Sequence, residues 1–324
     1  MSSNNNKLDP EIKNWLRDPA DGSYFKRIEG DSLLFSGGNS YPLFHGTPIL
    51  IDEHDSLFKI DDIMSNLPTT QSPGYRNRNY LKNYVRQKIL PTLSADRSFN
   101  ERYNRLAENV AGGPVLIVGV GDKIDYFSRC FSKSKVVTAD VHCQFGADIV
   151  FDAHKIPFQE ESFALVLAGQ VLEHTVRPWI VAQEFQRVVK NGGYIQIEVP
   201  FAFPYHGAPY DFYRFTPSAL RFLFSQCVLE TLEVPEGTWS AAATVMSQAL
   251  IDSFKNRLLR MMAVAAGRIF LWWIKYLDNL VKPTFNIPKG YAATYRFDGQ
   301  SREQQQLLED VQRTTCASMR IEKK

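Results

Sequence analysis

The stretch that decides the fold is Pro114–Asp140, PVLIVGVGDKIDYFSRCFSKSKVVTAD. Its first residues form a continuous apolar run, which predicts a parallel strand buried on both faces. A tight glycine turn, Gly119-Val120-Gly121, leads into a short helix and a second strand that ends on the acid Asp140. A unit of this kind places backbone N–H groups and a carboxylate around an adenosine-type ligand. The stretch therefore predicts the place of a ligand site without naming the ligand.

Strands and helices continue to alternate after this unit. Apolar runs predict strands at residues 114–118, 135–140, 148–151, 163–169, 194–200, 229–234 and 291–298. Arg177-Pro178 and Thr216-Pro217 predict helix starts, because Pro suits the first helical turn. Alternation on this scale predicts an α/β fold, a Rossmann-like doubly wound sheet of seven strands.

The rest of the chain divides by composition around this sheet. Dense turn residues between short β-like pieces predict a small N-terminal β-module rather than helices. The predicted organisation is a disordered segment 1–10, a β-module 11–52, a linker with N-terminal helices 53–112, a main α/β domain 113–299 with a helical insertion 236–288, and a mobile tail 300–324.

Composition bounds the class of protein. The chain has 324 residues and a net charge of +2, which provides no basic field to recruit nucleic acid. Its four cysteines are scattered without a C-x-x-C pair, so neither disulfides nor a cysteine zinc site is expected. The polar N-terminus lacks a signal-peptide core, and no apolar run reaches the roughly 18 residues of a membrane span. A cytoplasmic location is therefore predicted, with peripheral membrane contact left open.

The glycine turn argues against a dinucleotide ligand. The dinucleotide fingerprint needs a third glycine three positions after Gly121, where this chain has Ile124. The carboxylate of Asp122 would also repel a pyrophosphate at the turn. A cofactor that has no phosphate and carries a positive sulfonium tolerates this acid.

Three motifs follow the turn within residues 148–198. They are Asp152–Phe158 (DAHKIPF) with Ser162-Phe163-Ala164 behind it, Leu172-Glu173-His174, and Arg187–Gly193 (RVVKNGG). Together these motifs resemble those of the class I S-adenosylmethionine-dependent methyltransferases of the type 11 group. The resemblance is clear over residues 76–234, and it implies S-adenosylmethionine as the cofactor.

The resemblance also implies roles for single residues. Asp140 would accept both ribose hydroxyls, and Asp152 with Ala153 would hold the adenine amino group and ring edge. Gln170, at the carboxyl end of the fourth strand, would line the methyl-donor pocket. The complete predicted cofactor set is Gly119, Val120, Gly121, Asp140, Val141, Asp152, Ala153 and Gln170.

Two positions in the turn depart from the family pattern. The residue two before the first glycine is usually acidic and is Ile117 here, and the third glycine is replaced by Lys123. The missing acid removes an anchor near the ammonium group of the cofactor, for which Asp122 is the candidate substitute. A catalytically inactive binding protein that keeps the fold therefore stays open as an alternative.

The loop 199–217, VPFAFPYHGAPYDFYRFTP, crowds aromatic and charged residues at the ligand edge of the sheet. It resembles a loop of methyltransferases associated with glycan and natural-product pathways. A hydroxyl acceptor benefits from a base that takes its proton, and His206 and Asp211 are the predicted catalytic residues. The alternative is that Asp211 pairs with Arg214 to hold the loop and His206 only lines a wall. The predicted substrate-binding residues are Glu173, His174, Tyr210, Tyr213 and Arg214.

No metal site is predicted, because the histidines are not at ligand spacing. The β-module resembles, loosely, the zinc-ribbon-like module that often accompanies methyltransferases, and Tyr41–Leu50 (YPLFHGTPIL) carries the second part of its signature. The knuckle Asp18–Gly22 has Asp in place of both cysteines, and carboxylates alone make a poor zinc set, so the module is expected without zinc.

Residues 255–277 of the insertion are apolar, aromatic and basic. Arg260 and Arg268 interrupt the run, which therefore does not predict a transmembrane span. Basic residues beside Trp272 and Trp273 are typical of a helix at a membrane interface or one that grips a lipid-linked substrate. The alternative is a helical cap or a homodimer face.

These patterns and the resemblance together predict an S-adenosylmethionine-dependent methyltransferase that methylates an oxygen of a glycan, a natural product or another small molecule. Methylation of a lipid, a quinone or a lipid-linked substrate at the membrane is the second interpretation.

Overall fold

The computed structural model describes residues 8–65 and 91–319. Predicted segments at 1–7, 66–90 and 320–324, which include part of the N-terminal helices, lie outside the described residues. The strands are β1 (Phe25–Glu29), β2 (Ser32–Phe35), β3 (Ser40–Phe44), β4 (Thr47–Leu50), β5 (Val115–Val118), β6 (Val136–Asp140), β7 (Ile149–Phe151), β8 (Phe163–Gly169), β9 (Val189–Pro200), β10 (Cys227–Glu233) and β11 (Gly290–Phe297). The helices are α1 (Pro10–Asn14), α2 (Ile60–Met64), α3 (Phe99–Val110), α4 (Ile124–Cys130), α5 (Pro178–Val188), α6 (Pro217–Leu223), α7 (Thr238–Asp252), α8 (Arg257–Leu271) and α9 (Gln304–Met319), with 3-10 turns at Leu172–His174 and Ile274–Asn279.

The predicted α/β sheet is confirmed, and its seven strands follow the order β7-β6-β5-β8-β9-β11-β10. The strands from β7 to β9 pair in parallel, whereas β11 runs antiparallel between β9 and β10. The direction of winding reverses at β5, which pairs with β6 on one side and with β8 on the other. Open α/β sheets bind ligands at the carboxyl ends of the strands beside such a reversal.

Successive side chains of a strand point to opposite sides of the sheet, and both sides are buried at β5. Leu116 and Val118 belong to the apolar layer that α5 and α6 cover. Val115 and Ile117 belong to the opposite layer, which α3 and α4 cover. A continuous apolar run is therefore what this strand needs, and it fixes the glycine turn at the end of a rigid element.

Across the described residues the sheet has eleven strands, more than the seven predicted. β1 to β4 form antiparallel hairpins, and β4 then pairs in parallel with β7 through Ile49–Val150 and Leu50–Phe151. β7 would otherwise be an open edge whose N–H and C=O groups lack partners. The N-terminal strands are thus continuous with the main sheet.

The degenerate knuckle of the N-terminal module has an internal structural role. Asp18 is buried, and its Oδ1 accepts hydrogen bonds from the Tyr41 hydroxyl at 2.7 Å and from the backbone N–H of Ala20 at 2.8 Å. The carboxylate at the first cysteine position therefore closes a turn onto β3.

Two segments near the termini are more ordered than the sequence predicts. Leu8 is buried in the core, although residues 1–10 were expected to be disordered. In the predicted mobile tail, α9 packs on α6 through the buried side chains of Leu307 and Val311. The buried guanidinium of Arg221 donates two hydrogen bonds to Asp310 Oδ2, at 3.0 and 2.9 Å. Apolar burial and this ion pair together hold the tail on the domain.

Residues 190–193 lie just after α5 and belong to β9. β9 begins at Val189, and these residues form its first part, opposite an irregularity in the pairing between Phe163 and Leu165. Gly192 has a φ of 79°, so the left-handed conformation occurs inside the strand, at this irregularity.

The insertion between β10 and β11 consists of α7, α8 and the 3-10 turn, which pack on one another. Asp278 caps α7, accepting hydrogen bonds from the backbone N–H groups of Trp239 and Ser240 at 2.9 and 3.0 Å. Within residues 8–65 and 91–319, none of the helices has the length and apolar character needed to cross a bilayer.

Candidate active site

Two adjoining cavities lie at the carboxyl ends of the parallel strands. The larger, the cleft, has a volume of about 450 Å³, and the smaller, the inner pocket, has about 150 Å³. Gly119, Gln170 and His174 line both cavities, so the two form one continuous site. The site lies where the winding of the sheet reverses, as expected for this fold.

The glycine turn forms the floor between the cavities. Gly119 and Gly121 have φ values of 68° and 54°, which few other residues adopt without strain. A Cβ on Gly119 would lie 2.5 Å from Cγ2 of Val171, whereas a Cβ on Gly121 would meet no atom of the described residues within 4 Å. The first glycine is therefore required by packing, and the second leaves space for a ligand.

The inner pocket contains the predicted ribose-binding acid. Asp140 is almost fully buried, and its two oxygens accept the backbone N–H groups of Gly121 at 3.2 Å and Val141 at 2.8 Å. Burial raises the pKa of Asp140 above its ordinary value, against the opposing charge of His142 and the two backbone hydrogen bonds. The carboxylate is thus fixed beside the turn and faces the pocket.

The predicted adenine-binding acid has further partners in the protein. Asp152 accepts hydrogen bonds from Ser56 Oγ at 2.5 Å and from His154 Nδ1 at 2.6 Å. His154 Nε2 in turn accepts the backbone N–H of Arg177 at 3.1 Å, which fixes the tautomer of the ring. Although burial acts to raise it, these hydrogen bonds lower the pKa of Asp152, which stays ionised. Asp152 and Ala153 both line the inner pocket.

Sequence reasoning missed one wall of the inner pocket. Phe58 lies in the segment that the sequence assigns to a linker, yet it is nine-tenths buried and lines the pocket opposite Ala153 and Val141. Its ring lies 5.8 Å from that of Tyr210 on the acceptor loop. The apolar pair Leu57-Phe58 in an otherwise polar stretch was the one available signal.

A second missed group lies in the cleft. Glu198, near the end of β9, lines the cleft together with Tyr103. The buried guanidinium of Arg102 donates to Glu198 Oε1 from Nε at 3.0 Å and from Nη2 at 2.7 Å, and the Tyr103 hydroxyl donates to the same oxygen at 2.8 Å. Ile117, at the position where the family carries an acid, is fully buried on the same side of the sheet. Glu198 therefore brings a carboxylate to the part of the site that Ile117 leaves without one.

The acceptor loop is held by the pair that the sequence suggested. Arg214 donates to both oxygens of Asp211, at 2.6 and 2.8 Å, and to the carbonyls of Phe203 and Pro204. The side chain of Asp211 is buried beside His206, with Oδ2 at 3.2 Å from Nδ1. His206 itself lines the cleft. Asp211 thus pairs with Arg214 while His206 lines the cleft, so the two alternatives drawn from the sequence do not exclude each other.

The remaining predicted substrate residues occupy different depths. Tyr210 and Tyr213 line neither cavity, and the Tyr213 hydroxyl donates to the carbonyl of Val176 at 2.9 Å. His174 lines both cavities. Glu173 is fully buried behind His174 and His206, and burial raises its pKa to about 8. Burial likewise lowers the pKa values of both histidines, so the rings are neutral at neutral pH.

The residues of the site fit S-adenosylmethionine. The inner pocket offers an apolar wall and two carboxylates, as an adenosine group requires, and the open space above Gly121 lets a ligand approach the backbone. The cleft adds the carboxylate of Glu198 on the other side of the glycine turn. All of these groups already line the cleft or the inner pocket.

Residues 123–197 match a family model described as a methyltransferase domain. No curated protein sequence matches the chain. Solved structures with a similar fold include the cyclase SpnF, at 15% identity and a TM-score of 0.40 over 71% of this chain and 99% of that one. Phosphoethanolamine N-methyltransferase 2 of Haemonchus contortus, in complex with phosphomonomethylethanolamine and S-adenosylhomocysteine, has 13% identity and a TM-score of 0.42 over 72% and 61%. Coclaurine N-methyltransferase bound to N-methylheliamine and S-adenosylhomocysteine has 10% identity and a TM-score of 0.41 over 62% and 72%. Likeness at this level carries no argument about the reaction.

The sheet order, the turn and the matched segment define the class of the main domain. It is a methyltransferase domain of the S-adenosylmethionine-dependent class. The acceptor is a separate question, because it depends on the cleft rather than on the turn.

Proposed function

We propose that this protein transfers the methyl group of S-adenosylmethionine to a hydroxyl oxygen of a small-molecule or glycan acceptor bound in the cleft. The observation that carries the proposal is the position of His174 and His206, whose rings stand 4.9 Å apart in the wall of the cleft beside Gln170. A hydroxyl is a poor nucleophile until its proton is removed, so an acceptor of this kind needs such groups.

The inner pocket would hold the adenosine part of the cofactor. Asp140 would accept the ribose hydroxyls, with its carboxylate already fixed by the N–H groups of Gly121 and Val141. Asp152, Ala153 and Phe58 would enclose the adenine. When bound, S-adenosylmethionine supplies an electrophilic methyl group on a sulfonium, which becomes a neutral thioether as the methyl leaves.

Glu198 would replace the acid that is missing at position 117. Its Oε1 is occupied by Arg102 and Tyr103, and its Oε2 lies toward Gly169 at the edge of the cleft. A carboxylate fixed from behind is suited to accept a charge-assisted hydrogen bond from the cofactor ammonium. This role for Glu198 makes the substitute role of Asp122 unnecessary.

His206 is the group assigned to the acceptor hydroxyl. Its Nδ1 faces Asp211 Oδ2 and the carbonyl of Pro204, each at 3.2 Å, so this nitrogen carries the proton and Nε2 keeps its lone pair. Asp211 orients the ring without lining the cleft, and it therefore acts as a positioning residue. Phe203 packs edge-on against the ring and restricts it further.

The test combines binding and transfer. Thermal shift titration of the full chain with S-adenosylmethionine and S-adenosylhomocysteine should raise the melting temperature. Methyl-labelled cofactor should then label hydroxylated acceptors from a panel of glycans and phenols, and His206→Ala should abolish labelling while S-adenosylhomocysteine still binds. If neither ligand shifts the melting temperature, the cofactor assignment is wrong. If both bind but no panel member is labelled, the inactive binding protein gains support.

A lipid or lipid-linked acceptor is a second candidate, favoured by the surface of the insertion. Large apolar side chains of α8 and the following turn are between one-third and three-quarters exposed: Leu258, Leu259, Met261, Met262, Ile269, Phe270, Trp272 and Trp273. The exposed cations Lys255, Arg257 and Arg260 stand at the start of the same helix. An apolar face with basic neighbours suits a membrane interface. A second copy of the chain would bury the same face.

A further inference from the structure

Three polar side-chain atoms converge in the wall of the cleft, and no hydrogen bond among the described residues joins them. Glu173 Oε1 lies 3.9 Å from His174 Nε2 and 4.0 Å from His206 Nε2, and all three atoms lie within 4.8 Å of one another. Glu173 is fully buried, and neither of its side-chain oxygens has a hydrogen-bond partner among the described residues. A buried carboxylate in this position lacks the partner that such groups require.

Hydrogen bonds made by the other ring nitrogens aim both Nε2 atoms at this point. His174 Nδ1 lies 2.6 Å from the carbonyl oxygen of Tyr210, and His206 Nδ1 lies 3.2 Å from that of Pro204. A carbonyl oxygen only accepts hydrogen bonds, so each Nδ1 carries the proton. Both Nε2 lone pairs and the Glu173 carboxylate are therefore directed at one small volume.

A hydrogen bond between Glu173 and either ring does not account for this arrangement. A hydrogen bond between nitrogen and oxygen spans about 2.7–3.2 Å, which is shorter than either distance from Glu173 to a ring. A first-row metal ion bound tetrahedrally by ligands at about 2.0–2.2 Å holds those ligands about 3.3–3.6 Å apart, a few tenths of an ångström closer than the two distances from Glu173, so small side-chain rotations bring the three atoms to one ion. Two imidazoles and one carboxylate are also ligands that first-row divalent metals share, and they leave coordination positions open.

We propose that Glu173, His174 and His206 bind one divalent first-row cation, of the Mn²⁺, Fe²⁺ or Zn²⁺ type, with its open positions directed into the cleft. The supporting residues match those of a built metal site. Asp211 and the carbonyl of Tyr210 orient the two rings, as outer residues do around metal-ligating histidines. The acceptor loop is tied to the Glu173 segment, because the carbonyl of Glu173 accepts the N–H groups of Phe212 and Tyr213.

This inference rests on the proposed function and makes it more specific. The acceptor hydroxyl would bind to the cation, which lowers the pKa of the hydroxyl so that its proton leaves to solvent through the cleft. His206 would then act on the acceptor as a ligand of the cation instead of taking the proton itself. The preferred acceptors would be those whose oxygen is a good metal ligand, such as phenols and vicinal diols.

The test measures binding of the metal alone. The full chain is treated with a chelator and titrated with Co²⁺, Mn²⁺ and Zn²⁺, by calorimetry and by the visible absorption of bound Co²⁺. One equivalent should bind, with an affinity that Glu173→Gln and His206→Gln each lower by at least about tenfold. His45→Gln, at an exposed histidine outside the site, should leave the affinity unchanged.

Two results would overturn the metal site: no stoichiometric binding by the wild type, or binding that survives both substitutions. His206→Gln keeps the test decisive if Glu173→Gln does not fold, because His206 is partly exposed. Methyl transfer separates this inference from the proposed function. Transfer that persists in the chelator-treated protein would reject the cation and keep the function, whereas cation binding without transfer to any hydroxyl would do the reverse.

Discussion

Arg102 and Glu198 meet through a single oxygen. Nε and Nη2 of the buried guanidinium both donate to Glu198 Oε1, and the Tyr103 hydroxyl donates to it as well. Three donors on one oxygen fix the carboxylate from behind and leave Oε2 toward Gly169 and the cleft. Glu198, near the end of β9, thus brings a carboxylate to the part of the site where the resembled family has an acid at the position of Ile117.

Glu198→Gln should weaken binding of S-adenosylhomocysteine by about tenfold or more, because a hydrogen bond to a charged group contributes about 1.5–3 kcal/mol. Binding of methylthioadenosine, which lacks the amino acid part, should change little. Glu233→Gln is a matched control, since Glu233 also pairs with Arg102, at 3.3 Å, but does not line the cleft. Calorimetry with both ligands checks the prediction. An equal loss for methylthioadenosine would show that Glu198 supports the fold rather than the ammonium group.

The sequence predicts the elements whose signals are local. The run Val115–Val118 is buried on both faces, so its pattern is continuous, and the glycine turn must follow it directly. Asp140 could be placed because it ends the neighbouring strand. In each case the residues that interact are close in sequence or lie at equivalent strand ends, and periodicity is then sufficient.

The parts of the site that sequence reasoning missed come from distant segments. Glu198 is fixed by Arg102, which lies on a helix before the first strand of the main domain. His174 and His206 lack ligand spacing, yet they meet because the acceptor loop folds back and bonds to the Glu173 carbonyl. The eleven-strand sheet was also missed, since pairing of β4 with β7 leaves no trace in either strand's pattern. Tertiary pairing, not local propensity, decides these features.

Gly121→Ala should impair ligand binding more than folding. Its φ of 54° adds about 1 kcal/mol of strain, but the new methyl group contacts no atom in the described part of the chain and enters the cleft. Affinity for S-adenosylhomocysteine should fall by about tenfold or more, as expected when a filled site is overpacked. Gly22→Ala is the control, because Gly22 has a φ of 73° and open surroundings among the described residues but lines neither cavity. Similar affinities for the two variants would contradict a ligand above Gly121.

Binding of methylthioadenosine should strengthen as the pH rises through the elevated pKa of Asp140. Burial favours the protonated acid in the ligand-free protein, whereas ribose hydroxyls donate to the ionised form. The affinity should therefore be low near the ordinary value of 3.8, increase above it and level off once Asp140 is ionised. The same raised pKa makes Asp140 favour folding at low pH and lose that contribution as the pH rises. Asp140→Asn should remove the rise in affinity, and a rise that persists in this variant would assign it to another group.

Vesicles containing anionic lipid should co-sediment with the full chain if the exposed face of α8 contacts membranes. Trp272→Ala with Trp273→Ala should reduce the bound fraction severalfold, because Trp stabilises contact at the interface and the cations at the start of α8 add attraction that salt screens. Trp179→Ala is the matched control, since Trp179 is about half exposed on α5 and lies outside the insertion. Absence of wild-type binding, together with a concentration-dependent dimer that the double substitution dissociates, would instead assign this face to a second copy of the chain.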